Sequence, residues 1–477
     1  MTVIQAAGVG GGSLIDANAS VEAAPQSFED GWPQEVSWDE MSPYYEIVGD
    51  MLDLQKIPEN QLTRRYKLVR QAAEAIGEEK RFMPLELAVS FDQEWTYDPI
   101  DGESPRQVKF SKRFTNKHGF AQGRCVHLGN CSLGCEAQAK NILEYNYLGL
   151  AEKAGARIMP LHRARSIAPE KSRYRVFFDR IDSKLHRLHP GSATSRIVIV
   201  ACGSIGSTEL LLRCRDQFRT LPGMSRFLGH NWSSNGGFLT PAIHDRPISP
   251  THGPTISAAI DFVSEPHQGE RFFIQDMGFP DLLGNLLQGG SLQGCHRLAK
   301  AFLALANQSL RKCNPAQGDE RDPWRSLTLW FGAGQGYADG RLELRRRFRL
   351  FLNWNIDQSE KTIDAIVRMH KLLAKNTGGK AIVPPTWTFF KDLITPHPLG
   401  GCNMSDPPGK GKTWTDHRGR RRRSDQGVVD HKGEVFGYRN LFVADGAVVP
   451  EAIGRNPSRT IAALAERIAK HILDESR

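Results

Sequence analysis

Residues 197–212 constrain the fold more than any other stretch of the chain. The apolar run Ile197-Val198-Ile199-Val200-Ala201 meets Gly203-Ser204-Ile205-Gly206-Ser207 and passes straight into Glu209-Leu210-Leu211-Leu212. Strand, glycine turn and helix in immediate succession are the layout of a parallel α/β layer. The last segment returns to that order. A strand over Leu441-Phe442-Val443-Ala444 is followed by a helix from Pro457 to Leu473, with Ile461, Leu464, Ile468 and Ile472 facing inward.

Between these two units the pattern changes. Leu62, Tyr66, Val69, Ala73 and Ile76 predict a helix over 61–76 that Gly77 ends. A second helix is expected over 141–154, then a short strand at Arg157-Ile158-Met159 and a β-like Val176-Phe177-Phe178. Residues 241 to about 390 are less regular, with strands at Leu327–Phe331 and Leu350–Trp354 and one helix over 363–375. Gly332-Ala333-Gly334-Gln335-Gly336 reads as a turn between strands, since no helix follows it. The whole predicts a discontinuous α/β domain interrupted by a β-rich one.

Composition narrows the function classes. A chain of 477 residues can bury a sizeable core and favours two domains. Hydrophobic residues at 40% and charged residues at 24% exclude wholesale disorder. No uninterrupted apolar run reaches the ~18 residues of a membrane span, so no transmembrane segment is expected. The start, Met1 to Gly8, shows neither a basic n-region nor an apolar h-region, which favours the cytoplasm. Eight cysteines are too few for a disulfide scaffold. Much of the net charge of +9 comes from Arg345-Arg346-Arg347 and the run Arg418 to Arg423. The second run has only Trp414 nearby, so a solvated insertion loop is expected rather than a nucleic-acid surface.

Two segments carry chemistry. Asn456-Pro457-Ser458-Arg459-Thr460 opens the last helix, with Pro457 suited to the first helical position and Asn456 to the N-cap. Taken alone, Asn456 reads as a capping residue. Upstream, Thr395-Pro396-His397-Pro398-Leu399-Gly400-Gly401-Cys402 holds a histidine stiffened by prolines on both sides. A histidine and an asparagine brought together could share one oxygen, the imidazole taking its proton while the amide holds it. Cys125, Cys131 and Cys135 are poorly spaced for zinc or an iron–sulfur cluster, and a structural loop with no metal is expected.

Taken together, these stretches resemble the glucose–methanol–choline (GMC) flavin oxidoreductases, and within them the cholesterol-oxidase-like branch. The matches run from Gly8–Leu14 and Gly31-Trp32-Pro33 through Ala139-Lys140-Asn141, Gly203–Leu212, Leu352-Asn353-Trp354 and His397–Cys402. They end with Gly427-Val428-Val429-Asp430, Asp445-Gly446 and Asn456-Pro457. The resemblance implies an α/β fold with a discontinuous FAD-binding, Rossmann-like domain (140–240 and 433–477) and a β-rich substrate-binding domain (26–139 and 241–432). Residues 1–25 would be a flavin-contacting glycine-rich segment. It implies FAD-dependent oxidation of a bulky, sterol-like alcohol, with oxygen or another acceptor taking the electrons. His397 and Asn456 would be the catalytic pair. Gly11, Gly12, Ser13, Asp16, Ala164, Asp445, Gly446 and Ser458 would contact the cofactor, although sterol oxidases tend to have Asn at the position of Asp16. Asp322 is a candidate for the carboxylate that this branch holds over its active site.

The family pattern begins with a strand, a Gly-x-Gly-x-x-Gly turn and a helix for the ADP half of FAD, roughly one hundred residues that this chain does not show. Two expectations follow: the chain alone should be poorly soluble and bind FAD weakly, and a second reading is a non-catalytic fragment unable to hold FAD.

Overall fold

The structure, a computed structural model, describes residues 1–96, 107–185, 187–280, 323–384, 387–388, 391, 393–415 and 421–476. Asp322 lies outside them. The fold is mixed α/β.

The β-rich part is one six-stranded antiparallel sheet in the order Gly379–Ala381, Phe238–His244, Leu327–Gly334, Phe272–Met277, Ala258–Asp261 and Phe82–Pro84. The central strand Phe272–Met277 is buried from Phe272 to Asp276, so both of its faces are covered. The helices Arg64–Ala75 and Asp357–Asn376 pack on one face. Gly332 and Gly334 permit this approach. A Cβ on Gly332 would stand 2.3 Å from Ile366 Cγ2, and one on Gly334 2.7 Å from Thr362 Cγ2. These glycines are therefore strand residues beneath a helix, not the turn read from the sequence. On the same face Arg65 forms a fully buried ion pair with Asp276. Its guanidinium also donates to the carbonyls of His252 and Thr255, while Asp276 accepts from Ser257 N, Ser257 Oγ and Ala258 N.

The α/β part is smaller. Val198–Val200 and Leu441–Val443 pair in parallel with Ile199 opposite Phe442, and each runs into a helix region, Gly203–Leu212 and Ser458–Ser476. The helix Trp38–Met51 packs along Ser458–Ser476, tied by Tyr45 Oη to Thr460 Oγ1 at 2.9 Å and by Arg467 to Glu40 at 3.1 Å. A three-stranded antiparallel sheet, His162–Glu170, Arg173–Asp182 and Arg187–Ser195, stands beside it. The apolar interior forms two main clusters. One holds Leu87, Phe273, Trp330 and Ile366; the other holds Tyr45, Leu211, Trp232, Val443 and Leu464. Trp32, Met41 and Val48, and Leu399, Met404 and Val428, join the second cluster, so these residues of the expected substrate-binding domain share their core with the α/β part.

Several local expectations are corrected. The helix expected over 141–154 is only Tyr147–Lys153, because Asn146 (φ −144°, ψ −100°) departs from helical geometry and separates it from a single 3-10 turn, Leu143–Tyr145. Residues 157–159 are irregular rather than a strand. The helix read over 363–375 starts earlier, at Asp357. The arginine run is in part a hairpin, Arg421–Arg423 pairing with Thr413–Thr415. Arg422 and Arg423 pair with Glu451 (2.9 Å) and Asp425 (2.7 Å), so they are not simply solvated. Among the described residues no helix is long and apolar enough to cross a membrane.

Candidate active site

His397 follows the short strand Ile394–Thr395, which pairs in parallel with Thr2–Val3. Thr395 anchors the histidine: its Oγ1 accepts from His397 N (3.0 Å) and donates to the carbonyl of Ser234 (2.8 Å). The imidazole packs edge-on against Phe331, with ring centroids 5.7 Å apart. Its Nδ1 is buried with no hydrogen-bond partner. Burial pushes the pKa down to about 4, so the ring is neutral across the working range of most enzymes.

Asn456 reaches the same region from the loop before the last helix. That helix begins at Ser458, two residues beyond Asn456, one place later than the isolated segment suggested. The Asn456 amide oxygen accepts from Gln275 Nε2 on the central strand. The loop is held by Asn235, whose Nδ2 donates to the carbonyl of Arg455 (2.7 Å) and whose Oδ1 accepts from Gly454 N (2.9 Å). The adjoining Ser233 exchanges backbone hydrogen bonds with Leu399, two residues beyond His397. One buried segment, Ser233-Ser234-Asn235, thus docks both candidate catalytic loops. Gly446 closes the arrangement. Gly400 N donates to its carbonyl (2.9 Å), and a Cβ there would stand 3.1 Å from Ile461 Cδ1 and 3.4 Å from the Pro398 carbonyl.

Residues 337–465, which carry both segments, match the family model described as GMC oxidoreductase. A cholesterol oxidase of Mycobacterium tuberculosis (strain CDC 1551 / Oshkosh) is 28% identical over 488 residues, covering 98% of this chain and 78% of that protein. A cholesterol oxidase of Acinetobacter baumannii is 26% identical, covering 100% of this chain and 83% of that one. The chain is thus similar to GMC oxidoreductases along nearly its whole length, with the family model itself matched over residues 337–465. Two solved structures share the fold at low identity. Pyridoxine 4-oxidase from Mesorbium loti has a TM-score of 0.55 at 14% identity, over 97% of this chain and 83% of that one. An FAD-dependent oxidoreductase from Chaetomium thermophilum has 0.58 at 13% identity, over 100% and 87%.

The remaining expected site residues fall as follows. Gly11 and Gly12 lie in a short 3-10 turn where a Cβ would meet nothing within 4 Å, and Gly10 and Gly11 have left-handed φ of 100° and 54°. That open, side-chain-free backbone suits close approach by a flat or anionic group. Ser13 Oγ is used internally, donating to Gly10 O and accepting from Leu143 N. Asp16 is held by the buried Lys140 at 2.6 Å. Ala164 is exposed at the bulge of its strand. Asp445 is buried, which raises its pKa, and it accepts from Ser207 Oγ, Gly203 N (2.8 Å) and Ala447 N (2.7 Å). Its carboxylate therefore secures the start of the helix Gly203–Leu212. Ser458 is exposed at the start of the last helix. Sequence reasoning missed Gln275 and Asn235, and also Asn18 and Ser20, whose side-chain polar atoms are buried without partners. Orphaned buried polar groups of this kind call for a ligand or water. A cleft of about 540 Å³ lined by Phe91, Asp92, Lys112 and Arg124 contains none of these residues.

The cysteine loop is built into the structure. Cys125 and Cys131 are buried, which raises their thiol pKa values, and Lys140 Nζ donates to the Cys131 carbonyl at 3.0 Å. Among the described residues no group of three or more His, Cys, Asp and Glu could hold a metal ion.

Two outcomes follow from this geometry. Gly400 has φ +81°, and a Cβ on it would stand 2.1 Å from the Asn231 carbonyl. Gly400→Ala is expected to destabilise the protein by ~1–3 kcal/mol, measured by urea unfolding. An unchanged midpoint would show that the His397 loop tolerates a different backbone path. The second outcome concerns acid. Burial lowers His370 to about 3 and His244 and His397 to about 4, from an ordinary 6.5. The unfolded chain then binds these protons first, so stability is full above about pH 6.5 and is lost as pH falls toward about 4. Each histidine contributes ~1.4 kcal/mol per pH unit within its window. Urea midpoints measured at neutral pH and near pH 5 should fall; equal midpoints would mean that the imidazoles are accessible to solvent protons.

Proposed function

We propose that this protein oxidises the CH–OH group of a bulky, sterol-like alcohol, with FAD as cofactor and His397 and Asn456 handling the hydroxyl. The observation that carries the reading is a buried, neutral imidazole with an unpartnered Nδ1, on a loop docked by Ser233–Asn235 to the loop that presents Asn456. When bound, FAD supplies the acceptor for the hydride. Gly11, Gly12, the buried Asn18 and Ser20, the Gly446 turn and the open start of the last helix at Ser458 would hold it. Ala164 would touch its adenine end.

The chain's own groups then act on the alcohol. His397 is neutral, so it can accept the hydroxyl proton at a ring nitrogen. Asn456 has its Oδ1 occupied by Gln275, which leaves Nδ2 to donate to the same oxygen as negative charge builds there. Phe331 lines the approach with an apolar ring. In the expected division of the chain, residues 26–139 and 241–432 bind the alcohol, and 1–25, 140–240 and 433–477 bind the cofactor. The sterol-like substrate and oxygen as final acceptor are supported by the two cholesterol oxidases, which align along nearly all of this chain.

The test is a comparison of kcat/KM for a 3β-hydroxysterol and a short-chain alcohol, with the ketone product identified. The sterol should be preferred by about 10²-fold or more, as expected when several buried methylenes each add binding energy. Preference for the short alcohol would sink the sterol assignment.

A further inference from the structure

The two candidate catalytic residues meet one cross-strand pair of the six-stranded sheet. Gln275 and Phe331 are directly opposite in the antiparallel register of Phe272–Met277 and Leu327–Gly334. Directly opposed residues project from the same face. The neighbouring pairs, Ile274 with Gly332 and Asp276 with Trp330, point the other way, toward Ile366 and Arg65 on the covering helices. The face opposite those helices thus sends one side chain to each catalytic residue: Gln275 Nε2 to Asn456 Oδ1, and the Phe331 ring to the His397 ring.

We propose that Gln275 is a positioning residue for alcohol oxidation, fixing the Asn456 amide with its Nδ2 toward the reacting oxygen, while Phe331 sets the His397 ring. The inference rests on the function proposed above. An isolated asparagine amide can rotate by half a turn at little cost and present either its donor or its acceptor. A buried Gln Nε2 on Asn456 Oδ1 removes that freedom, because the flipped amide would bring two N–H donors together. The backbone that carries Gln275 is held in place. The residue lies in the middle of the central strand, fully buried, beside Asp276, whose carboxylate carries the Arg65 ion pair and three further hydrogen bonds. The distance between proton acceptor and hydrogen-bond donor is then set by strand register and not by two mobile loops.

A double-mutant cycle on the flavin-loaded enzyme tests this. Gln275→Met, close in volume and lacking the donor, should lower kcat by about 10- to 100-fold with little change in KM. In an Asn456→Ala background the same change should cost no more than about 2-fold, since it acts through Asn456. Equal losses in both backgrounds, or no loss in either, would overturn the proposal. If Asn456→Ala itself leaves kcat unchanged, the catalytic pairing fails, and the positioning role fails with it. Should the methionine variant not fold, Gln275→Glu reads the same donor. Protonated glutamate can donate to Asn456 Oδ1 and ionised glutamate cannot, so kcat should fall with rising pH and return on acidification, a limb absent from the wild type. A pH profile superimposable on that of the wild type would count against the role.

Discussion

His397→Ala should lose about 10²–10⁴-fold in kcat for alcohol oxidation while retaining its flavin, the usual contribution of a positioned general acid or base. The expectation rests on two features of the ring. Burial holds it neutral, with a pKa of about 4, so it is ready to accept a proton at neutral pH. Its Nδ1 is unpartnered and its ring packs against Phe331, so no internal hydrogen bond of Nδ1 explains its presence. The loop backbone is fixed independently by Thr395 and Ser233, so alanine should leave the fold and the cofactor site in place. Single-turnover kinetics with flavin content measured in parallel separates the two effects. A variant that turns over at the wild-type rate would remove His397 from the chemistry.

Arg65→Ala should lower unfolding free energy by ~3–5 kcal/mol, because it leaves Asp276 charged, fully buried and without its counter-ion. The three hydrogen bonds that Asp276 keeps from Ser257 and Ala258 soften this loss without replacing the cation. Chemical denaturation measures it directly. Asp276 adjoins Gln275, so kcat should fall in the same variant even where the protein remains folded. A change below ~1 kcal/mol would mean that water reaches the carboxylate once the arginine is gone.

What the sequence disclosed was local. The strand–glycine–helix unit at 197–212 and the amphipathic last helix were legible because their signals lie within a few residues. So was Gly77 as a helix terminator, at φ 74°. Failures occurred where a distant contact decided. Gly332 and Gly334 have the composition of a turn, but their role as a seat for the helix Asp357–Asn376 depends on Ile366 and Thr362. Asn146 delayed the start of a helix that periodicity alone would have begun at 141. At the candidate site, His397 and Asn456 were singled out only through the resemblance of His397–Cys402 and Asn456-Pro457 to GMC oxidoreductases. Gln275 and Asn235 were not, since their partners lie 181 and 220 residues away and nothing near them in sequence announces the contact. Asn456 looked like a helix cap for the same reason.

The central claim is that this chain brings an alcohol hydroxyl to His397 and Asn456 beside a bound flavin. Anaerobic mixing of the FAD-loaded protein with a 3β-hydroxysterol tests it most directly. The account predicts loss of the oxidised-flavin absorbance in proportion to ketone formed, one equivalent per bound FAD, with the rate falling by about 10²-fold or more in His397→Ala. Flavin that remains oxidised in the presence of sterols and other secondary alcohols, in a protein that demonstrably holds FAD, would contradict it.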